Sequence, residues 1–195
     1  MEKIVALIAF SIVSSVTPGP NNVLLWASGA EFGYRRTVPH VVGTALGIGS
    51  MALGVALGLG AVISAIPALA IAMKVAGTIY LLFLAVQIAG IRGVAGARIA
   101  APLGVGQAAA FQLINPKAWI FAVGAMTTFR PAELPVLGGS LLVAAAMAIV
   151  IVPTASLWAA AGGGINGLIA GDGRQRLFAA ALAILVVASV VTVWL

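Results

Sequence analysis

The chain has no cysteine, one histidine and only four acidic residues among its 195. Without cysteine there can be no disulfide, no thiolate metal site and no thiol redox chemistry. One histidine and four scattered acids are too few for metal-assisted or acid–base hydrolysis, which needs such groups in clusters. An intramembrane enzyme is therefore disfavoured, and neither a metal nor another cofactor is expected. Charge of either sign is scarce: 7% of residues are charged and 63% are hydrophobic. Soluble domains carry roughly a quarter charged residues and about half apolar ones. A water-soluble fold could not cover this much apolar surface. Lipid is the solvent that fits, in keeping with a mean hydropathy of +1.20.

The net charge of +6 would suggest a nucleic-acid partner if the basic residues formed a patch. Instead they stand in ones and twos between apolar blocks, as Arg35/Arg36, Arg92, Arg98, Arg130 and Arg174/Arg176. Topology signals of membrane proteins are distributed this way, and no nucleic acid is expected. Lys3 and the apolar run Ile4 to Val16 look like a secretory leader. The following Thr17-Pro18-Gly19-Pro20 is poor cleavage chemistry, so the segment is expected to stay as a membrane span.

The fold class is all-α: a polytopic transmembrane bundle of about six spans, each needing about 20 apolar residues. The apolar runs place them near 4–29, 38–64, 67–91, 106–128, 134–161 and 175–195, in a single membrane domain over 1–195. The separators are Gly33-Tyr34-Arg35-Arg36, Pro67, the basic stretch Arg92 to Pro102, Arg130-Pro131 and Gly171-Asp172-Gly173. In this count Arg35, Arg36, Arg92, Arg98, Arg174 and Arg176 share one side and Lys3 and Arg130 the other. The basic side should be cytoplasmic, with both termini outside. Gly43-x-x-x-Gly47 and Gly54-x-x-x-Gly58 in the second span have the spacing of close helix contacts in lipid.

A faint internal repeat is visible. Pro20 and Pro116, Pro39 and Pro135, and Gly43 and Gly139 share one offset, 96 positions (116−20, 135−39, 139−43). It divides the chain into halves 1–100 and 101–195. Three spans per half would put the halves in opposite orientations, the inverted repeat of many secondary transporters.

Two polar, proline-bearing segments interrupt apolar spans: Thr17-Pro18-Gly19-Pro20-Asn21-Asn22 in the first, and Gln112 with Asn115-Pro116-Lys117-Ala118-Trp119 in the fourth. Both fall near the centre of their span. A proline lacks the N–H its helix needs and clashes with the carbonyl four residues back, so both helices should break. Freed backbone groups cost several kcal/mol each in hydrocarbon unless protein, water or cargo satisfies them. A plain proline kink capped by neighbours would account for one such break. Two at mid-depth point to a transport site, where half-helix N-termini offer donors to an anionic group. The candidate substrate-binding residues are Thr17, Pro18, Gly19, Pro20, Asn21, Asn22, Gln112, Asn115, Pro116, Lys117 and Trp119. Lys117 has no acid at its depth, since Glu2, Glu31, Glu133 and Asp172 all lie near span ends. It caps freed carbonyls, snorkels, is held neutral, or receives a cargo carboxylate.

Glu31, His40 and Lys117 are the candidates for proton coupling. His40 opens the second span, where a lone histidine is expected to be solvated. Glu31 is placed to pair with Arg35 at i+4. Lys74 is expected to snorkel, and Trp119 serves as an interfacial anchor or a cavity wall.

Together, Thr17-Pro18-Gly19-Pro20-Asn21-Asn22, Asn115-Pro116-Lys117-Ala118-Trp119, Gly33-Tyr34-Arg35-Arg36, the Gly43/Gly47 pair and Lys74-x-x-Gly77-x-x-Tyr80-Leu81 resemble the LysE/RhtB family of amino-acid exporters. The likeness runs over essentially the whole chain, with Ala85 where a glycine is common. It implies efflux of amino acids or related polar metabolites across the bacterial inner membrane, coupled to the proton gradient. The alternative is a channel or carrier for another neutral or anionic solute. The implied partners are a small-molecule cargo and the lipid bilayer, with a homo-oligomer left open.

Overall fold

The computed structural model describes residues 2–59, 65–89 and 101–165, with isolated positions between 180 and 188. Its elements are α1 (Glu2–Val16), α2 (Pro20–Phe32), α3 (Tyr34–Ala56), α4 (Pro67–Ala89), α5 (Val105–Ile114), α6 (Pro116–Phe129) and α7 (Val136–Ile165). There is no strand among the described residues. Arg92, Arg98, Asp172, Arg174, Arg176, Trp194 and most of the span expected at 175–195 lie outside them.

Helices α3 and α7 are each long and apolar enough to cross a membrane, and α1 and α2 pass the same test only as a pair, bent by 61° at the break between them. At 1.5 Å per residue, the 30 residues of α7 reach about 45 Å, more than the hydrocarbon thickness of a bilayer. The surface has the character this requires. Leu46, Ile120, Ile149 and Leu157 are exposed, whereas His40, Gln112, Asn21 and Thr44 are buried. Along α7 the residues facing inward are Val143, Met147, Ile151, Ala155 and Ala159, one every four positions, which keeps them on one stripe of the helix. The stripe packs on α3, α2 and α1.

The first separator is shorter than the sequence suggests. Gly33 alone divides α2 from α3, at φ +79°, a region open to glycine at little cost. Tyr34, Arg35 and Arg36 already belong to the first turn of α3. The pair Gly54/Gly58 is not a helix seam, because Gly58 lies beyond the end of α3 at φ +99°. The pair Gly43/Gly47 is a seam. A Cβ at Gly47 would stand 2.8 Å from the Ala109 Cα, so α3 and α5 touch backbone to backbone. A second close crossing joins α2 and α7, where Gly29 abuts the Ala159 carbonyl and Gly162 abuts the Trp26 carbonyl.

The two broken helices run in opposite directions. Lys3 at the start of α1 lies 4.0 Å from Glu133, just past the end of α6. Phe10 of α1 packs on Phe129, the last residue of α6, with ring centroids 5.3 Å apart. Among the described residues Glu31 has no ion-pair partner. Arg36 on the next helix lies over the Phe32 ring instead, 5.4 Å from its centroid, so the expected Glu31–Arg35 pair does not form.

Candidate functional site

Each break follows from its prolines. In α1 the final helical bond runs from the Thr17 N–H to the Val13 carbonyl, 3.0 Å. Pro18 and Pro20 have no N–H to offer the Ser14 and Val16 carbonyls. The chain passes through Gly19 in an extended conformation and restarts as α2 with Pro20 at its first position, where a missing N–H costs nothing. The second break is tighter. Asn115 is extended (φ −88°, ψ 105°), and Pro116 opens α6. The Gln112 carbonyl, deprived of its donor by Pro116, accepts instead from the Asn115 N–H at 3.2 Å. Trp119 donates its ring N–H to the Leu113 carbonyl, 2.8 Å.

Side chains close the carbonyl end of α1. The Asn22 amide nitrogen donates to the Ser15 carbonyl (2.7 Å) and the Thr17 carbonyl (2.8 Å). Lys117, from the first turn of α6, donates to the Thr17 carbonyl and, at 3.3 Å, to the Pro18 carbonyl. Its cation thus lies at the negative end of the α1 dipole. It passes so close to Gly19 that a Cβ there would stand 2.8 Å from the Lys117 Cδ. Of the four roles open to Lys117 from sequence, carbonyl capping is the one the structure shows. An ammonium has three donors, so one remains.

On the opposite side a buried amide network joins α2, α3, α5 and α6. Gln112 Nε2 donates to the Ala108 carbonyl and to Asn21 Oδ1, both at 3.0 Å. Asn21 Oδ1 also receives Thr44 Oγ1 at 3.2 Å and His40 Nε2 at 3.3 Å. Asn115 Nδ2 donates to Gln112 Oε1 at 3.1 Å. His40 is thus not a solvated interfacial residue: it is 1% exposed, because α3 begins at Tyr34 and carries it a full turn or more inward.

Between the lysine and this network lies a cavity of about 440 Å³, counting its open mouth, with Gly19, Asn21, Asn22, Gln112, Asn115 and Lys117 in its wall. Both breaks therefore meet at one place. Thr17 and Pro18 contribute through the carbonyls that hold Lys117, and Pro20 and Pro116 through the half-helices they start. Trp119 and Glu31 are not in the wall; Trp119 serves the α5 end and Glu31 is exposed. The sequence reading missed Ser14, Ser15, Thr44 and Thr154, which also line the cavity. The signal for Thr154 was present: it follows Pro153, a proline inside α7. Ser14-Ser15 directly precede the first break.

Among the described residues the wall holds one cation and no carboxylate, with two half-helix N-termini, α2 and α6, opening onto it. In α6 Pro116 has no N–H and the Ala118 N–H is bonded to the Asn115 carbonyl at 3.0 Å, so it is chiefly the Lys117 ammonium that suits this place to a small solute with an anionic group.

Comparison with known proteins points the same way. The cysteine/O-acetylserine efflux protein of Escherichia coli K12 is 28% identical over 169 residues, 85% of each chain. The protein of the same name from Shigella sonnei matches equally. That of Klebsiella pneumoniae is 30% identical over 125 residues, 64% of this chain and 63% of its own length, so this last match spans just under two thirds of the relative. No solved structure matches the chain. The LysE type translocator model matches residues 12–193, nearly the whole length including both breaks, and the chain accordingly belongs to the LysE type translocator family, as a membrane transporter and not an enzyme.

Proposed function

We propose that this protein exports small amino acids across the bacterial cytoplasmic membrane by alternating access around the cavity between its two breaks. The observation that carries the reading is the meeting of Lys117 with the Thr17 and Pro18 carbonyls. It brings the two proline breaks, 96 residues apart by their prolines (116−20), to one cavity. Discontinuous helices at matching places in two halves, with cargo bound between them, are the architecture of many secondary transporters. The order of two half-helices followed by a long helix occurs twice, as α1–α2–α3 and α5–α6–α7, and the broken pairs run in opposite directions. This supports an inverted repeat of halves 1–100 and 101–195 in a six-span, multi-pass protein. The bacterial relatives, named for cysteine and O-acetylserine efflux, support small amino acids as cargo. Proton coupling is assigned to the buried His40 rather than the exposed Glu31, because His40 is bonded to a residue of the cavity wall.

The test is efflux from cells lacking their own exporters and loaded with mixed dipeptides. Expression of this protein is expected to speed the appearance of small neutral amino acids outside. In proteoliposomes, labelled cargo should exchange against unlabelled cargo and saturate. Unsaturable flux would assign a channel, and no flux of any amino acid would direct the search to another small neutral or anionic solute.

A further inference from the structure

The buried amides of the network are fixed in orientation by one backbone group. Ala108 contributes a carbonyl, which can only accept, so the Gln112 atom 3.0 Å from it must be Nε2. The other end of Gln112 is then Oε1, and the Asn115 atom that meets it at 3.1 Å must be a donor, Nδ2. That leaves Asn115 Oδ1 facing elsewhere. Asn115 is 5% exposed, and its Oδ1 is buried with no hydrogen-bond partner among the described residues.

An ordinary structural use for this oxygen exists and is not taken. Asn115 is the N-cap residue of α6, a position where asparagine is favoured because its oxygen accepts from the first-turn amides. Here no side-chain cap bond is made. A buried acceptor left unpaired costs about as much as a lost hydrogen bond, and Asn115 lines the cavity, from which a partner can come. The partner must be a donor. Lys117 is held at the Thr17 and Pro18 carbonyls and makes no bond to Asn115 Oδ1. Asn21 has its Oδ1 filled by Gln112, Thr44 and His40, which turns only its amide N–H groups to other partners.

We infer that Asn115 Oδ1 is the acceptor for the cargo's α-ammonium group, with the carboxylate at the Lys117 side, and that Asn115 is the residue by which the site distinguishes amino acids from simple carboxylic acids. The inference rests on the cavity being the transport site. Because the acceptor is a neutral amide and the described wall holds no carboxylate, the site selects a zwitterion with a neutral side chain over a diamino acid.

The test uses the full chain in lipid nanodiscs and three probes: O-acetyl-L-serine, its des-amino analogue 3-acetoxypropanoate, and L-lysine. Wild type is expected to bind O-acetylserine about tenfold to a hundredfold more tightly than the des-amino analogue, the range for one hydrogen bond to a charged group, and L-lysine more weakly than O-acetylserine. Asn115→Leu, similar in size but with no acceptor, should bring the two acetoxy probes to within about threefold of each other, chiefly by weakening O-acetylserine. Asn115→Asp, which restores an oxygen, should recover the amino preference and strengthen L-lysine. If Asn115→Leu keeps the wild-type ratio, the assignment to Asn115 is overturned while the cavity stands. If wild-type binding of O-acetylserine is unaffected by filling the cavity with Ala118→Trp, the site itself is misplaced and both readings fall.

Discussion

Gln112 of α5 and Asn21 of α2, 91 positions apart in sequence, share a buried hydrogen bond of 3.0 Å. Each belongs to a different half of the chain and lies next to that half's break. Gln112 spends both amide protons on protein partners and its oxygen accepts from Asn115, so it ties the two breaks together. Gln112→Leu removes three bonds at once and leaves the Asn115 amide buried without an acceptor. A loss of about 2–4 kcal/mol is expected, from the usual cost of an unsatisfied buried group and the bonds around it. Adding Asn21→Leu should cost clearly less than the sum of the single changes, because the partners are coupled. Thermal unfolding of the four proteins in one detergent measures this directly.

Lys117 caps the Thr17 and Pro18 carbonyls and is proposed to receive the cargo carboxylate, and substitutions can separate the two. Lys117→Ala leaves the Pro18 carbonyl without its donor and opens space beside Gly19, so both stability and transport should fall. Lys117→Gln retains a donor for the carbonyls but no charge. It is expected to keep most of the thermal stability and lose at least about tenfold in carboxylate affinity, as a charge-assisted bond is roughly twice as strong as a neutral one. Normal export by Lys117→Gln at equal expression would remove the lysine from cargo binding and leave it a cap.

The glycine seams give a prediction with an internal control. Gly29→Ala places a methyl onto the Ala159 carbonyl, and Gly47→Ala places one 2.8 Å from the Ala109 Cα. Both obstacles are backbone, so neither can swing aside. Each variant should lose about 1–3 kcal/mol or more through overpacking. Gly138→Ala meets nothing within 4 Å and should be neutral or slightly stabilising, by up to about 1 kcal/mol, since alanine is the better helix former. Melting temperatures of the three variants should fall into those two groups.

Much of this architecture was legible because it depends on local chemistry. Proline removes an N–H wherever it stands, so the breaks at Pro18/Pro20 and Pro116 could be read from residue type and span position alone. The same argument brought forward Asn21, Asn22, Gln112, Asn115 and Lys117. What could not be read depends on which helix faces which. His40 looked interfacial because the start of α3 was placed too late, after Arg36 rather than directly after Gly33. A single glycine at φ +79° is enough to turn the chain, and hydropathy does not register it. Trp119 looked like a wall because it adjoins the break, yet its ring nitrogen is spent on the Leu113 carbonyl. Serine and threonine in α1, α3 and α7 carry too little polarity to stand out in an apolar span, so the Thr44 and Thr154 sides of the cavity were not seen.

The assignment of coupling to His40 separates cleanly from that to Glu31. Glu31 is exposed and lines no part of the cavity, so Glu31→Gln should export at the wild-type rate and with the wild-type dependence on a pH gradient. His40 donates through Nε2 to Asn21 Oδ1, while its Nδ1 is buried without a partner, a lone pair open to a proton. His40→Gln can still donate to Asn21 through its amide but cannot take up a proton at neutral pH. It is therefore expected to keep cargo-for-cargo exchange in proteoliposomes, which needs no net proton movement, and to lose uphill export driven by an imposed pH gradient. If both processes survive in His40→Gln, the proton follows another route and His40 is a structural partner of Asn21. If both are lost in a protein that still melts like wild type, the bond to Asn21 is needed for the transport motion itself, and Gln is too poor a substitute for the ring.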